Sequence, residues 1–79
     1  MVQELIRMIE RKEIIVVERP VVDVQMGGAL AYAEDETMEE FLEHLGNALK
    51  PLEAMGVKAG DIEIITDGNR IAAQMKIGR

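Results

Sequence analysis

The chain has no cysteine, no serine and no tryptophan, and only one phenylalanine, one tyrosine and two prolines in 79 residues. Without cysteine it has neither a disulfide framework nor a thiolate metal site. Serine and cysteine nucleophiles are missing too, which leaves Thr37 and Thr66 as the only aliphatic hydroxyls. Thr37 reads as a helix cap and Thr66 precedes a turn, so nucleophilic catalysis is not expected. No apolar run approaches the ~18 residues of a membrane span. Gln3, Glu4 and Arg7 interrupt the segment Val2 to Ile9, which therefore lacks a signal-peptide layout as well. Lysine and arginine nowhere cluster into a phosphate-neutralising surface, so neither nucleic acid nor an anionic membrane is an expected partner.

What is present is aliphatic and acidic. Nine Ile and seven Val, with Leu and Met, must supply the core of one domain spanning residues 1–79. That length is near the lower limit for a core without staples, and self-association would help it. The net charge of -6 is uneven. Asp23, Glu34, Asp35, Glu36, Glu39, Glu40 and Glu43 fall between Pro20 and Leu49, a stretch without Lys or Arg. One region is acidic and the remainder nearly neutral.

Apolar spacing predicts the elements. Val2, Leu5, Ile6 and Ile9 mark a first helix ending near Lys12. Ile14 to Val17 is β-branched and apolar on both faces, which predicts a covered strand. Pro20 marks an edge, a bulge or a break in pairing. Val22, Val24 and Met26 alternate with Val21, Asp23 and Gln25, and Gly27-Gly28 predicts a hairpin turn into a strand from Ala29 to Ala33. Thr37 to Glu40 fits a capping box for a long helix with Met38, Phe41, Leu42, Leu45, Leu49 and Leu52 on one side. Pro51 lies on its polar side, and Gly56 is a left-handed terminator. Asp67-Gly68-Asn69 turns a last hairpin, whose return strand sets Ile71, Ala73, Met75 and Ile77 on one face.

The expected class is α+β. The order is helix, hairpin, helix, hairpin, with one antiparallel sheet of four to five strands and both helices packed on one face. Whether Ile14 to Val17 forms its own strand is open at this level.

Glu34 to Glu43 reads first as a solvated face whose carboxylates complement the helix dipole, at about 0.3–1 kcal/mol each. A divalent-cation or small-ligand site on that face would use Glu36, Glu40 and His44, since Glu40 lies one turn before the single histidine. The Glu40–His44 pair alone supplies too few ligands for a tight site, and no cysteine or second histidine can complete one. Gly27-Gly28 lacks the further glycines of a dinucleotide or phosphate loop. Asp67-Gly68-Asn69 lacks the acidic positions of a calcium loop. No cofactor is expected.

The sheet face away from the helices would carry Val21, Ile65 and Ala72 among Asp23, Gln25 and Gln74. A mixed face of that kind, or an unpaired strand edge, is a natural place for another chain. A non-enzymatic protein–protein interaction or dimerisation module, in the cytoplasm, is therefore the first functional expectation, and the cation or small-ligand site is the alternative. An enzyme with its site between subunits is a third.

In size, aliphatic richness and lack of cysteine, with segments such as Glu13-Ile14-Ile15-Val16-Val17-Glu18 and Gly60-Asp61-Ile62-Glu63-Ile64-Ile65, the chain resembles small uncharacterised conserved proteins of archaea, particularly methanogens. That resemblance implies a cytoplasmic protein with no assigned activity. The element order is also similar to that of the roadblock adaptors, which are dimeric scaffolds. The similarity implies at most a fold-level relation.

Overall fold

The computed structural model describes residues 2–21 and 29–76. Helix α1 (Val2–Glu10) leads into strand β1 (Ile15–Glu18), and strand β2 (Ala31–Glu34) precedes helix α2 (Met38–Glu53). A single 3-10 turn, Ala59–Asp61, then opens the hairpin of β3 (Ile62–Asp67) and β4 (Arg70–Met75). The protein is α+β, with two helices and one four-stranded sheet among the described residues.

Local signals account for most element ends. The carbonyl of Met8 accepts from the N–H groups of Glu13 and Ile14, at 2.8 and 3.2 Å, while Lys12 sits at φ 63° and reverses the chain from α1 into β1. At the start of α2, Thr37 Oγ1 accepts from the Glu40 N–H at 3.1 Å. The Thr37 N–H returns a bond to Glu40 Oε1 at 3.0 Å, which completes the capping box. Gly56, at φ 100°, follows the last turn of α2, and Gly68, at φ 60°, opens the tight turn between β3 and β4. Pro51 lies inside α2 at an exposed position, so its ring disturbs no core contact.

The sheet order is β1-β3-β4-β2. β3 and β4 form the central antiparallel hairpin, with Ile64 opposite Ala73 and Ile65 opposite Ala72. β2 pairs antiparallel with β4, Tyr32 facing Ala72. β1 pairs parallel with β3, Val16 beside Ile64 and Val17 beside Ile65. The expectation of a wholly antiparallel sheet is thus corrected to a mixed one. A parallel pair needs a crossover, and the chain between β1 and β3 contains α2, which is long enough to make it. Ile15 to Val17 do form a strand of their own, at the rim of the sheet, with Ile15 and Val16 exposed, while Ile14 just before it is buried in the core. The expected strand from Val21 to Met26 and its Gly27-Gly28 turn fall outside the described residues except for Val21. β2 overlaps the expected return strand from Ala29 to Ala33 and runs one residue beyond it, to Glu34.

Alternation divides the strands between two faces. Ile62 and Ile64 of β3 and Ile71 and Ala73 of β4 join Leu5 of α1, Ile14, and Phe41, Leu42, Leu45 and Leu49 of α2 in the principal core. Ala31 and Ala33 of β2 pack against that core from its edge. Both helices therefore lie on one face. On the other face, Val21, Ile65 and Ala72 form a second, smaller cluster, flanked by Val17 and Ala29.

Candidate functional site

The acidic side of α2 brings together two of its three candidate ligands. His44 Nε2 lies 3.1 Å from Glu36 Oε2, an ion pair when the imidazole is protonated. Glu36 sits just before the Thr37 cap, outside the helix, and its side chain reaches along α2 to His44. Its other oxygen, Oε1, is shielded from solvent and has no hydrogen-bond partner among the described residues. Glu40 is committed elsewhere, because its carboxylate closes the capping box on the Thr37 N–H. Local backbone capping and a shared ligand site compete for one carboxylate, and the cap holds it. Among the described residues no three His, Asp or Glu side chains gather closely enough to hold a metal ion. A shallow depression of about 350 Å³ does lie beside α2, lined by Val2, Gln3, Glu39, Glu40 and Glu43. Its acidic walls are side chains facing solvent.

The second candidate region, the sheet face opposite the helices, is less open than its composition implies. Val21, Ile65 and Ala72 are each fully buried, at 0% exposure, in the smaller cluster. They complete the protein's own packing and present nothing to a partner. Asp23 and Gln25 lie outside the described residues. Gln74 is half-buried and donates from Nε2 to Glu63 Oε1 at 3.1 Å. The same oxygen receives Arg19 Nη2 at 3.3 Å, giving a polar row across β1, β3 and β4. Val21 is held in place by its own N–H, which donates to Asp67 Oδ2 at 3.3 Å.

Two residues of the run expected under cover, Ile15 and Val16, are left exposed, while Ile14 is buried. Ile15 is 41% exposed and Val16 38%, on opposite faces of β1. Beside them a groove of about 270 Å³ runs between α1 and β1, lined by Ile9, Lys12, Ile14, Ile15 and Val16. The outer edge of β1 has no strand beside it among the described residues. Its hydrogen-bonding groups can be assigned from the ladder. The Arg19 N–H donates inward to the Thr66 carbonyl at 3.2 Å, and the two-residue alternation turns those of Ile15 and Val17 the same way. The N–H and C=O groups of Val16 and Glu18 therefore point outward. One signal for this rim was present in the sequence, namely Pro20, which cannot extend a ladder.

The other rim, β2, carries the single tyrosine. Tyr32 Oη donates to Glu34 Oε2 at 2.6 Å. That hydrogen bond to a carboxylate raises the phenol above its ordinary value near 10.

No protein-family model, curated protein or solved structure matches the chain.

Proposed function

We propose that this protein is a non-enzymatic interaction module whose docking element is the outer rim of β1, and that it associates with itself through that rim. The observation that carries this reading is the pair Ile15 and Val16, two exposed β-branched side chains on one short strand whose outer edge has no neighbour among the described residues. An edge of that kind offers main-chain hydrogen bonds for affinity and apolar side chains for fit. The β1 rim replaces the far sheet face as the contact surface, because Val21, Ile65 and Ala72 are consumed by internal packing. A cytoplasmic setting goes with this reading, since a chain without cysteine makes no use of an oxidising compartment. Among the described residues no helix is long and apolar enough to cross a membrane.

The cation or small-ligand reading has one contact in its favour, between Glu36 and His44. It is weaker because Glu40 already serves the helix cap and two side chains make a poor cage. Sedimentation over a concentration series tests the leading reading. The wild-type chain is expected to move from monomer to dimer as concentration rises, and Val16→Lys is expected to remain monomeric. Wild type and variant both monomeric throughout would overturn it.

A further inference from the structure

The geometry points to a second copy of this chain as the occupant of the β1 rim, joined about a two-fold axis normal to the sheet, with Val16 opposite Val16 of the second copy. This rests on the reading of β1 as the self-docking element and adds the symmetry and the register.

The rim itself supplies the constraints. A two-fold axis normal to the sheet runs the two β1 strands antiparallel and keeps both helix layers on one side. The two four-stranded sheets then become a continuous sheet of eight. In that arrangement only residues pointing to the same face can lie opposite each other, so the register can shift only in steps that preserve face. The candidates place Ile15, Val16 or Val17 on the axis.

Hydrogen bonding disfavours the first. With Ile15 on the axis, both central pairs join Ile14 to Val16, and each loses one bond because the Ile14 N–H already donates to the Met8 carbonyl at 3.2 Å. Arg11 would also approach Arg19 of the second copy. With Val17 on the axis, Ile15 would oppose the guanidinium-bearing Arg19, and Glu13 would oppose the fully buried Val21. With Val16 on the axis, the outward Val16 N–H and C=O groups of the two copies bond reciprocally. The Glu18 N–H of each copy then meets the Ile14 carbonyl of the other, while the Ile14 N–H stays with Met8, so the central pair is complete and only the outer pairs are single-bonded. On the face away from the helices, Ile15 packs against Val17, an apolar pair. Beyond it Glu13 of each copy meets Arg19 of the other, opposite charges in both symmetry-related positions.

Both charged groups are accessible for this. Glu13 is 49% exposed beside Arg11, and Arg19 is 45% exposed on the far face beside Glu63. The local charge also permits close approach. Arg11, Lys12 and Arg19 against Glu13 and Glu18 leave residues 11–19 slightly positive in a chain of net charge -6. The acidic face of α2, by contrast, would repel its copy. Pro20 ends the ladder, since it has no N–H to donate.

The absence of native cysteine makes the register directly readable. Ile15→Cys, Val16→Cys and Val17→Cys chains are prepared reduced, confirmed folded and dimeric by circular dichroism and sedimentation, and then oxidised separately and as mixtures. A disulfide between Ile15→Cys and Val17→Cys chains in the mixture is expected, with self-linking only for Val16→Cys. Self-linking of Ile15→Cys or of Val17→Cys would overturn the register while leaving association through β1 intact. A dimer in which none of these pairs forms, or a strict monomer, would overturn both the register and the rim reading. A charge swap gives a second readout that needs no cysteine. Glu13→Arg is expected to weaken association about tenfold, and adding Arg19→Glu to restore it to within about threefold. No recovery in the double variant would overturn the pairing of those charges.

Discussion

The two rims of the sheet are alike in length and unlike in finish. β1 and β2 are each four residues long, and each is bonded on one side to the central hairpin. β2 is tied down at both ends. The Leu30 N–H donates to the Ala73 carbonyl at 2.7 Å, and the Asp35 N–H donates to the Asn69 carbonyl at 2.8 Å. Asn69 Nδ2 adds a bond to Asp35 Oδ1 at 2.9 Å. Its inward side chains are the small Ala31 and Ala33, which let α2 settle onto the sheet, and its outward tyrosine is satisfied by Glu34. β1 has large β-branched residues on both faces and exposes one on each. Both rims leave their outer ladder positions without a strand among the described residues, so the side chains set them apart: large and β-branched on β1, small or bonded to a neighbour on β2.

That contrast can be broken most forcefully through stability. Leu45 lies wholly inside the helix-face core beneath α2, and Leu45→Ala is expected to cost about 2–5 kcal/mol of unfolding free energy. Val16→Ala on the open rim is expected to cost no more than about 1 kcal/mol in the monomer. Denaturant melts at low concentration measure both. Equal losses at the two positions would mean that β1 is covered after all.

Association sharpens the comparison next. Val16→Lys sets two ammonium groups against each other on the proposed axis, and the dimer dissociation constant is expected to rise roughly 100-fold. Tyr32→Lys, the same charge placed on β2, is expected to change it less than about threefold. A reversed pattern would assign the contact to β2.

The smallest effect concerns the finish of β2 itself. With one tyrosine and no tryptophan, the phenol can be titrated by ultraviolet absorbance alone. Its midpoint is expected above the ordinary value near 10, because ionisation breaks the bond to Glu34 and sets two negative charges side by side. The sign for stability follows. A raised value means that the contact contributes fully below pH 10 and is lost as pH climbs through the folded-state value. Glu34→Ala should lower the midpoint toward the ordinary value, and an unchanged midpoint would show that the hydrogen bond is not its main cause.

Much of the fold was legible because its signals are local. The apolar spacing of Phe41, Leu42, Leu45 and Leu49, the Thr37–Glu40 box and the Gly68 turn each act over a few residues, and each appears in the structure. The placement of β1 was not legible in the same way. Its partner β3 lies 48 residues further along the chain, and nothing local to Ile14–Val17 records a parallel neighbour on only one side. An apolar run on both faces fits burial between layers and fits an open rim equally well, and tertiary context decides. At the candidate site the Glu40–His44 spacing was visible, but the same carboxylate also caps α2, and the backbone took it. The approach of Glu36 to His44 depends on the path into the helix and had no periodic signal.

Amide hydrogen exchange along β1, followed by NMR in dilute and concentrated samples, tests self-docking most directly. The inward N–H groups of Val17 and Arg19 should be protected at both concentrations, and those of Val16 and Glu18 only when the protein is concentrated. Free exchange at Val16 and Glu18 across the whole range, in a chain that is otherwise folded, would mean that no strand docks there.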